Sequence, residues 1–322
     1  VEPAPSDARD AFDSSAVRTT RSVVDDQDRK LFEELPARDG PVGESVNRAS
    51  EMGQRLAGLL RAGDFDAYRA CYHPDARIVS HLFTRHLTDS EEADRDAYVA
   101  NVVSRSETGL DFGEHEMRTL AVRGERLVLN EFSAPSGDVW ETSMFAIREL
   151  GDDGRIVYTA YYEPEAFVDA HVELDQRFIE GEGAPSHRVL RAVARFNESV
   201  ARGDLDAWDG VMSEEVVAVD HGTLSWGTLE RPALAERVRS LFEMVVIQRS
   251  VMRRYLRLTP AAAIYEYVQG RTTVTDWETE DEFLAVATVD RAGLIDRFEQ
   301  FDLDRLDEAI TRFDELTAER PS

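Results

Sequence analysis

Cysteine, lysine and long apolar runs are what this sequence conspicuously lacks. Cys71 is the only cysteine in 322 residues, so no internal disulfide can form. Its place beside Tyr72 in a helix-like run reads as a small buried hydrophobe rather than a nucleophile. Lys30 is the only lysine and lies in a polar leader, which excludes Schiff-base chemistry by a pocket lysine. No stretch approaches the ~18 to 20 apolar residues of a membrane span. The opening residues VEPAPSDARD lack the charged and apolar regions of a signal peptide, and the expectation is a cytoplasmic chain. Positive charge is scarce: 64 acidic against 37 basic residues give a net charge of −27, which repels phosphate backbones and anionic lipid. Neither nucleic acid nor membrane is expected as a partner. There is no GxGxxG after a strand, no phosphate loop, and no HxH, HExxH or Cys-His spacing, so no cofactor and no metal is expected.

What is present is a repetition. GDFDAY at 63–68 returns as GDLDAW at 203–208, and Ser80-His81 returns as Asp220-His221, both at a shift of 140. WET at 140–142 returns at 277–279, and GRIVYTAYYEPEAF at 154–167 returns as GLIDRFEQFDLDRL at 293–306. A period of this length is that of a domain, not of a solenoid repeat of roughly 20 to 50 residues, so each copy can bury its own core. The expected organisation is a polar leader over 1–45, disordered or partly helical, a first domain over 46–180 and a second over 186–318. EGEGAPS at 180–186 reads as the linker.

Within each copy, apolar residues at helical spacing (Met52, Leu56, Leu59, Leu60; Val189, Val193, Phe196, Val200) run up to Gly63 or Gly203. A short second helix, a strand ending at Ser80 or Asp220, and a third helix near 94–104 or 232–242 follow. Three or four strands then run over 115–162 and 250–301, and an acidic amphipathic helix closes each copy. Strands clustered after helices indicate α+β, with a curved antiparallel sheet wrapped on three helices plus a C-terminal helix. Apolar residues such as Phe145, Ile147, Phe283 and Ala285 suggest that the copies pack on each other through their sheets, as an intramolecular pseudo-dimer open to further homo-oligomerisation.

This order of elements, with GD(L/F)D between the first two helices and a short strand ending in Asp-His, resembles the nuclear-transport-factor-2-like superfamily. That superfamily includes SnoaL-like polyketide cyclases, ketosteroid isomerases, scytalone dehydratases and limonene epoxide hydrolases. GDLDAWDGVMSEEVVAVDH and GLIDRFEQFDLDRLDEAITRFDEL also look like tandem modules common in actinobacterial proteins, often appended to large signalling ATPases. The resemblance implies a cone-shaped scaffold in both copies and, in the isomerases, a general-base Asp at the position of Asp220. Asp281 corresponds loosely to the second isomerase acid, while the oxyanion-donating tyrosine of the first helix is matched by Phe196.

Strand alternation puts Val216, Ala218 and Asp220 on one face, and desolvation there would suit Asp220 to proton abstraction. The competing role for Asp220 is to cap the turn at Gly222-Thr223. His221 pairs with Asp220 only if the strand ends between them; otherwise it lies on the outer face. Copy one has Ser80 in place of the acid, and its polar inventory is His73, His81, His86, His115, Glu131 and Tyr158; scytalone dehydratases use paired histidines in a similar cavity, which singles out His81 and His115, and the competing, favoured reading is surface or satisfied histidines. Glu131 and Glu266 recur in the sheet, and Trp140, Tyr267 and Trp277 alternate with acids, a pattern of either an apolar ligand cavity or a plain core with solvated acids. Trp226 is a candidate lid or a core anchor of the third helix. The leading reading is a protein binding a compact apolar or aromatic ligand, with acid-base chemistry (cyclase, isomerase or dehydratase type) in copy two; the alternative is a non-catalytic ligand-sensing or assembly module.

Overall fold

The computed structural model describes residues 46–82, 91–108, 116–134, 142–223, 225–273 and 278–318. The leader 1–45 and the candidate residues His86, His115, Trp140 and Trp277 lie outside them. Residues 44–322 belong to one compact unit.

The repeated Gly-Asp pair has a direct structural cause. Helix α1 (Arg48–Ala62) ends on Gly63, whose φ of 67° places it in the left-handed region that terminates a helix without a Cβ clash. The next residue, Asp64, accepts a hydrogen bond from Ala67 N at 3.0 Å and so caps α2 (Phe65–Ala70). Gly203 (φ 64°) and Asp204 do the same between α5 (His187–Arg202) and α6 (Leu205–Asp209), with Asp204 accepting from Ala207 N at 2.9 Å.

In the first half, β1 (Tyr72–Ser80), β2 (Glu92–Asp94), α3 (Arg95–Glu107), β3 (Glu116–Arg123), β4 (Leu127–Ala134), β5 (Thr142–Leu150) and β6 (Ile156–Tyr162) follow, closed by α4 (Phe167–Glu180). The second half repeats them as β7 (Met212–Asp220), β8 (Thr228–Glu230), α7 (Arg231–Met244), β9 (Val245–Leu258), β10 (Ala262–Thr273), β11 (Glu278–Val289), β12 (Ile295–Asp302) and α8 (Leu306–Ala318). Among the described residues each half forms a six-stranded sheet, ordered β2-β1-β6-β5-β4-β3 and β8-β7-β12-β11-β10-β9. The fold is α+β, as expected, but the sheets are mixed. β1 pairs with β6, and β7 with β12, in parallel, because the excursion through β2, a helix and the meander returns the chain in its original direction.

Each sheet has an inner face against its first helices and an outer face against its closing helix. Ile78, Val122, Val128, Ala146 and Tyr161 meet Ala49, Leu56, Tyr98 and Val102 on the inner face of the first sheet. Phe145 lies on the outer face, edge-on to Phe167 at the start of α4 (ring centroids 5.2 Å apart). In the second half Ile264, Leu284, Val286 and Phe301 pack under Ala309, Phe313 and Leu316 of α8.

The halves therefore do not meet sheet to sheet. Each outer face is taken by the half's own last helix, while Phe283 and Ala285 share the inner face through their register with Tyr267 and Tyr265. Contact runs instead through the edge strands β3 and β9 and the helices α4 and α5. Arg123, fully buried, donates from Nε to Asp175 Oδ1 of α4 at 2.6 Å and from Nη1 to Arg253 O of β9 at 3.3 Å. Phe178 stacks on Tyr255 with centroids 5.7 Å apart. The segment expected as a linker is a packed turn: a Cβ on Gly183 would lie 2.5 Å from Leu190 Cδ1 and 2.8 Å from Phe178 O, which only glycine avoids.

Removing one partner of a buried pair strands the other charge. Asp175→Ala is expected to destabilise the protein by about 3 to 5 kcal/mol, and Arg123→Met with Asp175→Leu together to recover most of that loss. Urea unfolding of the three proteins measures it, and an equal loss in the double variant contradicts the assignment.

Candidate functional site

Asp220 ends β7 on the inner face, in register with Gln300 of β12, and is 7 % exposed. Strand alternation predicts that placement, but its carboxylate is already engaged. Oδ1 accepts from Gly222 N at 2.9 Å and Oδ2 from Trp226 N at 3.0 Å, while Asp220 N donates to Gly227 O at 2.9 Å. Asp302 holds the same loop from the other side, accepting from the amide and hydroxyl of Thr223 at 3.0 and 2.9 Å. Asp220 thus fastens its own turn, each carboxylate oxygen accepting from a backbone N–H.

His221 does not pair with Asp220. It lies on the outer face, stacked on Phe301 (4.2 Å between centroids, 11° between planes), with Nε2 2.9 Å from Glu299 Oε2. Glu299 is buried and also accepts from Arg297 and from Arg312 of α8. Burial pushes its carboxyl up, but the hydrogen bonds from Arg297, His221 and Arg312 prevail and hold it below its ordinary value. His81 repeats the arrangement over Tyr162, with centroids 4.6 Å apart. It borders a surface groove of about 540 Å³ together with Tyr162, Asp169, Glu173 and Gln176.

The repeated glutamates are buried in ion pairs. Glu131 is buried on the outer face and receives Arg118 at 2.8 Å; Glu266 is buried between Arg253 at 3.2 Å and Arg254 at 3.0 Å. Glu131 is thus held by one guanidinium and Glu266 by two, ion pairing that engages both carboxylates within the fold. Trp226 is half-buried, with Arg237 of α7 5.5 Å over its ring, so it is anchored to the third helix of its half.

The inner face of the second sheet gathers the remaining candidates. Asp281 is paired across the ladder with Gln269, and Tyr267 with Phe283, whose rings are 5.0 Å apart. Phe196 of α5 packs on Phe298 at 5.4 Å. Asp220, Asp281 and Tyr267 therefore share one face among aromatic rings, while His221, Glu266, His81 and Glu131 do not.

The inner face of the first half holds a polar system that the motif search missed. Four buried phenols form a chain: Tyr72 to Tyr68 at 3.2 Å, Tyr68 to Tyr98 at 2.9 Å and Tyr98 to Tyr161 at 2.6 Å between hydroxyls. Arg148 acts on Tyr161 at one end, donates from Nη1 to Asn130 Oδ1 at 3.0 Å, and lies 4.9 Å over the Phe132 ring. The guanidinium has donors only, so its neighbours can only accept from it, while within each phenol pair either hydroxyl can donate. A visible signal was available: MFAIREL of β5 alternates apolar residues until a charged one falls at an inward position.

No family model matches the sequence, and no curated protein matches it. Among solved structures, the Δ5-3-ketosteroid isomerase from Mycobacterium sp. aligns at 20 % identity over 35 % of this chain and 91 % of its own, with a TM-score of 0.33. An epoxide hydrolase of the limonene-epoxide-hydrolase-like type from M. tuberculosis aligns at 16 % identity over 42 % of this chain and 98 % of its own, with a TM-score of 0.32. Each is a likeness to about one half of the chain.

Burial drives the phenols of the first half above their ordinary range, Tyr161 to about 12 and Tyr68 and Tyr98 well above 10.0. A folded-state value raised above the unfolded one contributes stability that is present below the unfolded value and lost as pH rises through the folded one. Stability is therefore expected to fall from about pH 10 upward, with the 295 nm tyrosinate absorbance of these residues appearing only as the protein unfolds. Ionisation of all nine tyrosines near pH 10 without loss of near-UV circular dichroism contradicts it.

Proposed function

We propose that the second half binds a compact apolar or aromatic small molecule against the inner face of its sheet, and that Gly222 and Trp226, fastened by Asp220, border one end of that site. The observation behind this reading is the composition of the face: Asp281, Gln300 and Tyr267 lie on the same face as Phe283 and Phe298, with Phe196 of α5 packed on Phe298. Few polar groups convergent on an aromatic wall is the ordinary make-up of a small-molecule site.

Acid-base catalysis of isomerase, cyclase or dehydratase type is the finer form of the proposal, with Asp220 and Asp281 as the carboxylates on that face. The engagement of both Asp220 oxygens with backbone N–H groups favours the second reading, binding without turnover, in which Asp220 shapes the loop. The two diverge at Asp220→Asn. The amide keeps one acceptor but turns an NH₂ toward the other backbone donor, so the loop is released.

Titration with 2-naphthol, followed by tryptophan fluorescence, is expected to saturate in the wild type and to weaken about tenfold in Asp220→Asn, a change of about 1.4 kcal/mol. As a general base, Asp220 predicts in addition a fall in turnover of roughly 10² to 10⁴ at unchanged affinity. Absence of saturable binding to the wild type, with no effect of Phe196→Ala, contradicts the proposal.

A further inference from the structure

We propose that the inner face of the first sheet is a separate binding site for a small organic monocarboxylate, with Arg148 as its counter-charge and the Thr159 hydroxyl as a second donor. Arg148 is 4 % exposed and has no carboxylate partner among the described residues; its Nε–H has no hydrogen-bond acceptor. A buried guanidinium without an anion is costly, since neutral partners such as Asn130 and the Phe132 ring replace only part of the water its charge loses. Thr159, also fully buried, stands directly across the ladder from Arg148, and its Oγ1 is likewise without a partner. Cross-strand neighbours bring their Cβ atoms to about 4.5 to 5.5 Å, so the two unused donors arise from adjacent positions on one face of the sheet. Two such donors, one of them cationic, match the two oxygens of a carboxylate.

The second half shows that the architecture does not need this pair. At the same register positions Ala287 stands opposite Phe298, and the equivalent of Tyr161 is Gln300. The same sheet is thus built with an alanine and a phenylalanine where the first half holds a guanidinium and a hydroxyl. Charge and lining narrow the ligand further. One positive charge in a chain of net charge −27 suits a monoanion and not a phosphate dianion, and the Phe132 ring beside the guanidinium offers an aromatic wall. The site is independent of the second-half reading, since no residue is shared. An ordered water can satisfy the two donors but leaves the charge uncompensated.

Benzoate and its neutral isostere benzamide separate these cases. Calorimetric titration is expected to show saturable benzoate binding to the full chain, with benzamide at least ~10-fold weaker. Thr159→Val should weaken benzoate about threefold to tenfold, the range of one lost hydrogen bond. Arg148→Met, with circular dichroism unchanged, should abolish the preference for benzoate while leaving 2-naphthol binding to the second half as in the wild type. No saturable benzoate binding to the wild type overturns the proposal and assigns the two donors to water. Equal affinity for benzoate and benzamide, or benzoate binding unchanged in Arg148→Met, overturns it as well. If Arg148→Met does not fold, the wild-type comparison and Thr159→Val decide alone.

Discussion

A guanidinium taken out of water must find an anion or remain a cost to the fold. Two arginines are buried among the described residues, Arg123 and Arg148, and they meet this demand differently. Arg123 has Asp175 at 2.6 Å and reaches the backbone of the other half, so its pairing holds β3, α4 and β9 together. Arg148 has phenols, an amide and a ring about it but no carboxylate. One buried charge joins the halves; the other is left for something outside the chain.

The same rule organises the outer faces. Glu131, Glu266 and Glu299 are buried on those faces and met by one, two and two arginines respectively, with His221 adding to the last. These clusters lie between a sheet and its surroundings, where a carboxylate can be desolvated because a guanidinium is fixed beside it. The inner faces, by contrast, have diverged. Tyr68 and Tyr72 of the first half become Trp208 and Met212 in the second, and the phenol chain with its arginine gives way to aromatic packing between Phe196 and Phe298. A duplicated frame with unlike interiors is the arrangement expected when two halves serve different ligands.

Much of this frame was legible in the sequence because it depends on local rules. Gly63-Asp64 and Gly203-Asp204 mark a helix end and a helix start by backbone chemistry alone, and strand alternation put Asp220 on the inner face. What was not legible depends on register and on partners. The parallel β1–β6 and β7–β12 pairs arise from long-range return of the chain, which no local pattern encodes. The fastening of Asp220 by Gly222 and Trp226 arises in a loop whose conformation is tertiary. Glu131 and Glu266 could be read as solvated or cavity-lining, since alternation distinguishes two faces but does not say which is covered by a helix. Arg148 was readable in principle: aligned on the second copy, an alanine stands where it stands, and a charge at an inward position is the kind of local inconsistency that marks a site.

The central claim is that Arg123 is held by the fold while Arg148 is held in spite of it. Equilibrium urea unfolding of Arg123→Met and Arg148→Met, each against the wild type in buffer free of organic anions, tests it directly. The account predicts a loss of about 3 to 5 kcal/mol for Arg123→Met and no loss, or a gain of about 1 kcal/mol or more, for Arg148→Met. A loss of comparable size in Arg148→Met would show that its charge is compensated within the chain, and would contradict the account.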